Sequence, residues 1–200
     1  RVLDPLPGET LVDVCAAPGG KLLYSCMRMQ NNGRIVAWDS HAGRLRLAEK
    51  SATVTGCSIA EFVVEDGTDP SADARSVRAD RVLVDAPCTG LGVLSRRPDL
   101  RWRRTASDID ELALLQDRLL DSACALIRPG GLLVYSTCTI EPEENEQRVE
   151  AFLARHGEFE VESAASFVPH HLLTRHGFYA SLPHRDGIDG AFAARLRKRA

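Results

Sequence analysis

Several things are missing from this 200-residue chain, and each absence narrows the reading. No apolar run approaches the length of a bilayer crossing, and no basic-then-apolar leader opens the chain, so neither a membrane span nor a signal peptide is expected. Six cysteines form no Cys-x-x-Cys pair, and the six histidines keep no ligand spacing to them, so no metal site is expected. A disulfide framework is equally out of place, because 200 residues with 44% apolar content can build a core without staples. There is no internal repeat, no low-complexity tract and no linker, which predicts a single domain over residues 1–200. No Gly-x-Gly-x-x-Gly appears, which disfavours a dinucleotide. The net charge of −3 does not by itself point to a polyanionic partner. A starting methionine is also missing, and the chain reads as a piece of a longer protein.

What is present alternates. Strand-like runs at 10–15, 34–38, 61–64, 81–85 and 131–136, with weaker ones at 158–162 and 191–196, are separated by helical patterns at 20–30, 41–54, 107–128 and 142–156. The long helix carries Ile109, Leu112, Leu115, Leu119, Ala123 and Leu126 on one stripe, with Ser107 and Asp110 as its capping signal, and Arg128-Pro129-Gly130-Gly131 as its stop. Residues 66–79 and 163–190 read as loop. Strands alternating with helices predict a doubly wound, mostly parallel α/β sheet, whose ligands bind outside the carboxyl ends of the strands.

That rule gathers five loops onto one rim. "DVCAAPGGK" follows the first strand, where Cys15, Ala16, Ala17, Pro18, Gly19 and Gly20 form a turn of small residues that lets backbone approach a ligand. Lys21, in the first helical turn, is placed to hold an anion, and Asp39 at the second strand end is placed to accept ribose hydroxyls. Asp66, after the third strand, is placed for the adenine edge. An adenosine carrying an amino-acid tail fits this pattern, which means S-adenosylmethionine.

The fourth and fifth strands end in "DAPC" and "STC", with Asp85, Cys88 and Cys138 on the rim. Methyl transfer to nitrogen or oxygen needs no thiol, and enzymes of that kind would show Asn or Asp-Pro-Pro-aromatic where "DAPC" stands. Carbon 5 of a pyrimidine does need one: it becomes nucleophilic only after a thiolate adds at carbon 6, and a carboxyl facing ring nitrogen 3 stabilises the charge that develops. A cysteine hydrolase is disfavoured, since no histidine ends a strand beside either thiol. The residues alone leave open which cysteine attacks. Arg96, Arg97, Arg101, Arg103 and Arg104 crowd around Trp102, a set that either forms a solvated face or binds RNA by charge and stacking, and Arg195, Arg197, Lys198 and Arg199 form a second basic run.

The motifs "DVCAAPGGK", "DAPCTGLGVL", "STCT…PEENE" and "DGAFAARL" resemble those of the NOL/NOP/Sun family of RNA 5-methylcytosine methyltransferases, especially its Sun branch acting on ribosomal RNA. The resemblance implies a Rossmann-like class I methyltransferase fold with a C-terminal antiparallel strand. It also implies S-adenosylmethionine held by residues 15–21, Asp39, Asp66 and Asp85, with Asp85 also on the base. By the same resemblance Cys138 is the nucleophile and Cys88 assists product release. Leu22 and Ala191 depart from the family's usual Thr or Ser and Phe. The expected protein is a monomer that works on ribosomal RNA in the cytoplasm or, in a eukaryote, in an organelle or the nucleolus, and its N-terminal RNA-binding region would precede Arg1. The competing expectation is a non-catalytic RNA-binding or ribosome-assembly factor that keeps the cofactor site.

Overall fold

The computed structural model describes all 200 residues. In chain order the elements are β1 (Thr10–Asp13), α1 (Gly20–Arg28), β2 (Arg34–Asp39), α2 (Ala42–Thr55), β3 (Ala60–Val64), α3 (Ala72–Arg75) and β4 (Ala79–Asp85). Then come α4 (Leu100–Arg103), α5 (Ala106–Ala123), β5 (Ile127–Thr137), α6 (Glu146–Arg155), β6 (Phe159–Glu162), β7 (Tyr179–Ser181), α7 (Pro183–Asp186) and β8 (Ala191–Lys198). The sheet runs β3-β2-β1-β4-β5-β8-β6, with β7 also paired to β8. The first five strands are parallel, and β8 enters antiparallel between β5 and β6, as expected for this fold class. No helix is long and apolar enough to cross a membrane.

Successive strand residues point to opposite faces, and the sequence puts an apolar side chain on both. Val12, Val36, Val82 and Leu133 join a core with Leu119, Leu120, Val149 and Phe152 from α5 and α6. Their neighbours Leu11, Ile35, Leu83 and Leu132 join a second core with Leu22, Cys26 and Met29, mostly from α1. Cys26 is therefore a buried small hydrophobe.

Some boundaries differ from the expectation. The helix after Thr105 ends at Ala123, passes through a 3-10 turn at Cys124–Leu126, and gives way to β5 at Ile127. Arg128-Pro129-Gly130-Gly131 thus lies inside a strand, where the pairing to β4 shifts register between Ala79 and Arg81. Its cap is Thr105, whose N–H reaches the Asp108 carboxylate at 2.7 Å, two residues before the Ser107–Asp110 signal. Residues 142–144 form a 3-10 turn ahead of α6, α3 lies in the 66–79 segment, and β7 and α7 lie within 163–190. The basic run at the C-terminus is not a patch. Arg195 is buried, paired with Glu162 and stacked 4.1 Å over the Phe167 ring, while Lys198 donates to the carbonyls of Cys124 and Ile127.

Phe152 is fully buried, 5.1 Å from the Phe159 ring and 4.5 Å from His156. Phe152→Ala should therefore cost about 3–5 kcal/mol in urea denaturation, the usual penalty for emptying a buried aromatic site.

Candidate active site

The turn after β1 is drawn tightly over the sheet. Ala16 N–H donates to Trp38 O at 2.8 Å, and Ala17 N–H donates to Asp39 Oδ2 at 3.3 Å. Gly19 has φ +108°, and a Cβ there would sit 3.0 Å from the Ala48 Cβ, so both conformation and packing require glycine. α1 begins at Gly20 and carries Lys21 in its first turn. A cavity of about 90 Å³ lies beside this turn, lined by Cys15, Asp39, Arg44, Asp66, Gly67 and Pro87 among others.

Asp39 is at the cavity wall, but its carboxylate is not free. Oδ1 accepts His41 N–H at 2.9 Å, and Oδ2 accepts the Arg44 guanidinium at 2.7 Å. A ribose would have to share Asp39 with Arg44. Asp66 also lines the cavity. Its carboxylate accepts the hydroxyl and N–H of Thr68, which hold its pKa below the ordinary value. Burial pushes the Cys15 thiol up.

Lys21 does not stand ready for an anion. Its Nζ donates to Asp85 Oδ2 at 2.6 Å, and Asp85 Oδ1 accepts the Ser136 hydroxyl at 2.7 Å. Both residues line a second cavity of about 330 Å³, together with Tyr24, Ser136, Cys138 and Phe192. The two thiols meet at its edge. Cys88 Sγ and Cys138 Sγ are 3.4 Å apart, and Cys138 N–H donates to Cys88 Sγ at 3.3 Å. Cys138 is exposed and Cys88 half-buried. The Cys88 S–H can donate to the Cys138 thiolate, which lowers the Cys138 pKa to about 7; burial and the Asp85 charge oppose this, and Lys21 supports it. The same S–H bond, with burial, pushes Cys88 up. Cys138 is thus the more acidic of the two thiols, and Cys88 is placed as its hydrogen-bond donor. The residue types alone do not signal this asymmetry; only the family resemblance separates the two thiols.

Gly92 closes the rim. Its N–H donates to Cys138 O at 3.0 Å, and its carbonyl accepts Gly190 N–H at 2.7 Å. A Cβ at Gly92 would lie 2.4 Å from Gly190 O, so only glycine permits this approach.

The arginine cluster divides. Arg96 pairs with Asp189, and Arg97 and Arg103 pair with Asp99. Arg104 is half-buried and donates to the carbonyls of Thr89 and Cys88 at 3.0 and 3.3 Å, so it supports the cysteine loop rather than a surface. Trp102, 84% exposed, stands beside exposed Arg101 on α4.

Two features escaped sequence reasoning. Asp13 ends β1 fully buried, and its Oδ1 has no partner. Burial first, then the charge of Asp85, raises its pKa to about 7. Its signal was an acid immediately before a turn of small residues. The second is the Glu144–Asn145 pair, buried beneath both cysteine loops. In the sequence these residues lie in the 142–156 helical pattern and the "PEENE" motif, neither of which assigns them a role.

Comparison with known proteins follows the same lines. The family described as "16S rRNA methyltransferase RsmB/F" matches residues 1–197. The chain is 40% identical over 200 residues to the probable ribosomal RNA small subunit methyltransferase B of Synechocystis, and 36% identical to that of Bacillus subtilis. These alignments cover 99% and 100% of the chain, which spans 45% of the length of each relative. Among solved structures, PH0851 superposes with a TM-score of 0.92 at 39% identity, covering 98% of this chain and 44% of its own. NSun6 from Pyrococcus horikoshii, solved with SFG, superposes at 0.88 and 33% identity, covering 100% and 50%.

Asp13 makes stability depend on pH. An aspartate that titrates near 3.9 when unfolded and at about 7 when folded binds its proton more tightly in the native state. Its contribution is complete below about pH 4 and is lost as pH rises through 7. Asp13→Asn should match wild type in urea denaturation at about pH 4 and exceed it by a margin that grows to roughly a few kcal/mol at pH 8.

Proposed function

The chain belongs to the 16S rRNA methyltransferase RsmB/F family, and on that premise we propose that it methylates carbon 5 of a cytosine in small-subunit ribosomal RNA through a covalent adduct to Cys138. The observation that carries this reading is the pair of sulfurs 3.4 Å apart beside Asp85 and Lys21.

S-adenosylmethionine, whose analogue SFG accompanies NSun6, would supply an electrophilic methyl group. The residues fit such a cofactor. Asp39 and Asp85 give the rim two carboxylates, and at the end of the strand between them the buried Asp13 Oδ1 lacks a hydrogen-bond partner. Residues 15–20 would hold it with backbone, and Asp39 and Asp66 would hold its nucleoside end.

The Cys138 thiolate forms a bond to carbon 6 of the ring, and the carbon 5–carbon 6 electron pair moves into the ring towards nitrogen 3. The Asp85–Lys21 pair meets the charge that develops there: Lys21 carries the proton that the carboxylate alone lacks. After carbon 5 has accepted the methyl group, a water at the open rim takes its proton, the electrons of that bond restore the carbon 5–carbon 6 double bond, and the Cys138 sulfur leaves with the carbon 6–sulfur pair as thiolate. Cys88 lies within reach of that sulfur and assists its departure. A target base must leave its stack to enter a cavity of this size. Residues 1–200 then form the catalytic domain of a protein acting as a monomer where ribosomal RNA is made and assembled. Exposed Arg101 and Trp102 offer charge and a stacking face to RNA outside the cavity.

Cys138→Ala should abolish both methylation and covalent RNA complex, whereas Cys88→Ala should accumulate an adduct that survives denaturing electrophoresis. The opposite pattern would make Cys88 the nucleophile. RNA binding with no methyl transfer in wild type would identify an assembly factor instead.

Replacing Arg101 and Trp102 by Ala should weaken RNA binding and lower the slope of log affinity against log salt by about 0.7, one phosphate contact to a single strand. Filter binding across a salt series measures both, and an unchanged slope assigns Arg101 to solvent.

A further inference from the structure

Glu144 is fully buried, and hydrogen bonds reach both of its carboxyl oxygens. Its Oε1 accepts Thr89 N–H and the Gln116 amide, each at 2.9 Å, and its Oε2 accepts the Thr89 hydroxyl. The Thr89 oxygen, having donated its proton, is left to accept from Thr139 Oγ1 at 2.9 Å. That bond joins the Cys88 loop to the Cys138 loop. Gln116 also donates to Pro87 O at 2.9 Å. Asn145 grips the other loop: its Oδ1 accepts the Thr137 hydroxyl, and its Nδ2 donates to Thr139 O at 3.1 Å. Pro87 and Thr89 flank one cysteine, and Thr137 and Thr139 flank the other. Tyr135 ties the device to β5 by donating to Glu144 O at 2.6 Å.

We propose that Glu144 and Asn145 are positioning residues that set the separation of the two sulfurs, and so keep Cys138 ready to add to the base. The inference rests on the reading of Cys138 as nucleophile and goes beyond it. Two physical arguments support it. Burying a carboxylate costs stability that an apolar side chain of the same size would not, so packing alone does not account for Glu144. Donation from the Cys88 thiol to the Cys138 sulfur is also short-ranged. The loops leave the sheet after Asp85 and Ser136, and an opening of about 1 Å between them would end the bond on which the acidity of Cys138 chiefly depends. The Glu144 charge adds to this by disfavouring ionisation of Cys88, which keeps the donor protonated.

The test is iodoacetamide alkylation from pH 5.5 to 9.5, with each cysteine quantified by peptide mass spectrometry and folding checked by circular dichroism. Wild-type Cys138 should react with a midpoint at about 7. Thr139→Val, which keeps the shape and cuts the link between the loops, should move that midpoint towards the free-cysteine value of about 8.5 and slow alkylation at pH 7 roughly ten-fold. Thr139→Ser, which keeps the hydroxyl, should restore the wild-type profile, and Glu144→Ala should shift the midpoint at least as far as Thr139→Val. If Glu144→Ala does not fold, the Thr139 pair decides. Coincident profiles for wild type and Thr139→Val would overturn the proposal. Because the readout needs neither RNA nor methyl transfer, a shifted profile in a protein that methylates nothing would uphold the positioning and sink the proposed function alone.

Discussion

Parallel pairing of β4 with β5 brings Val84 opposite Tyr135 and Asp85 opposite Ser136, and Ala86 N–H extends the pairing to Ser136 O at 2.9 Å. Both strands are buried on both faces, so a slip of one residue would turn each apolar side chain onto the wrong core. The sheet therefore holds this register firmly. Cys88 and Cys138 follow within three residues of its end, so their meeting is inherited from the hydrophobic pattern of two strands. The Ser136–Asp85–Lys21 chain across the strand ends depends on the same alignment.

Charge is segregated around this frame. Asp13, Asp39 and Asp85 end three adjacent strands, and they are answered within the rim by Lys21 and Arg44. Two of the three acids are thus paired, and the third, Asp13, is buried with a pKa raised to about 7. The exposed basic and aromatic side chains instead lie on α4, beyond the loop that carries Cys88. Under the proposed reaction, the cofactor and the RNA meet different surfaces, the strand-end rim and exposed Arg101 and Trp102 on α4.

The parallel strands were legible because runs such as Val82-Leu83-Val84 and Leu132-Leu133-Val134 satisfy both faces of a parallel sheet, and because polar residues stand at or just after their ends; their order in the sheet is a finding of the structure. The end of α5 was misread because Leu126 continues the helical stripe, whereas pairing of Ile127 with Ala79 draws the chain into the sheet. Tertiary pairing overrode local periodicity there. Arg104 looked like surface charge, but its acceptors lie 15 and 16 residues earlier. Glu144 finds its donors 28 and 55 residues away, so no local pattern could announce it. Asp13 carried a local signal, but its isolation from any donor is a property of the folded site.

β8 lies between β5 and β6, antiparallel to both, and the turn before it places Gly190 against Gly92 under the Cys138 carbonyl. During synthesis, the five parallel strands and both cysteines emerge while β5 still has an open edge and the rim has no floor. Only when residues 190–198 arrive does that edge close, through contacts that span half the chain. Order of manufacture thus separates making the reactive sulfurs from finishing their enclosure, and the last strand of the sheet to be made seals them both.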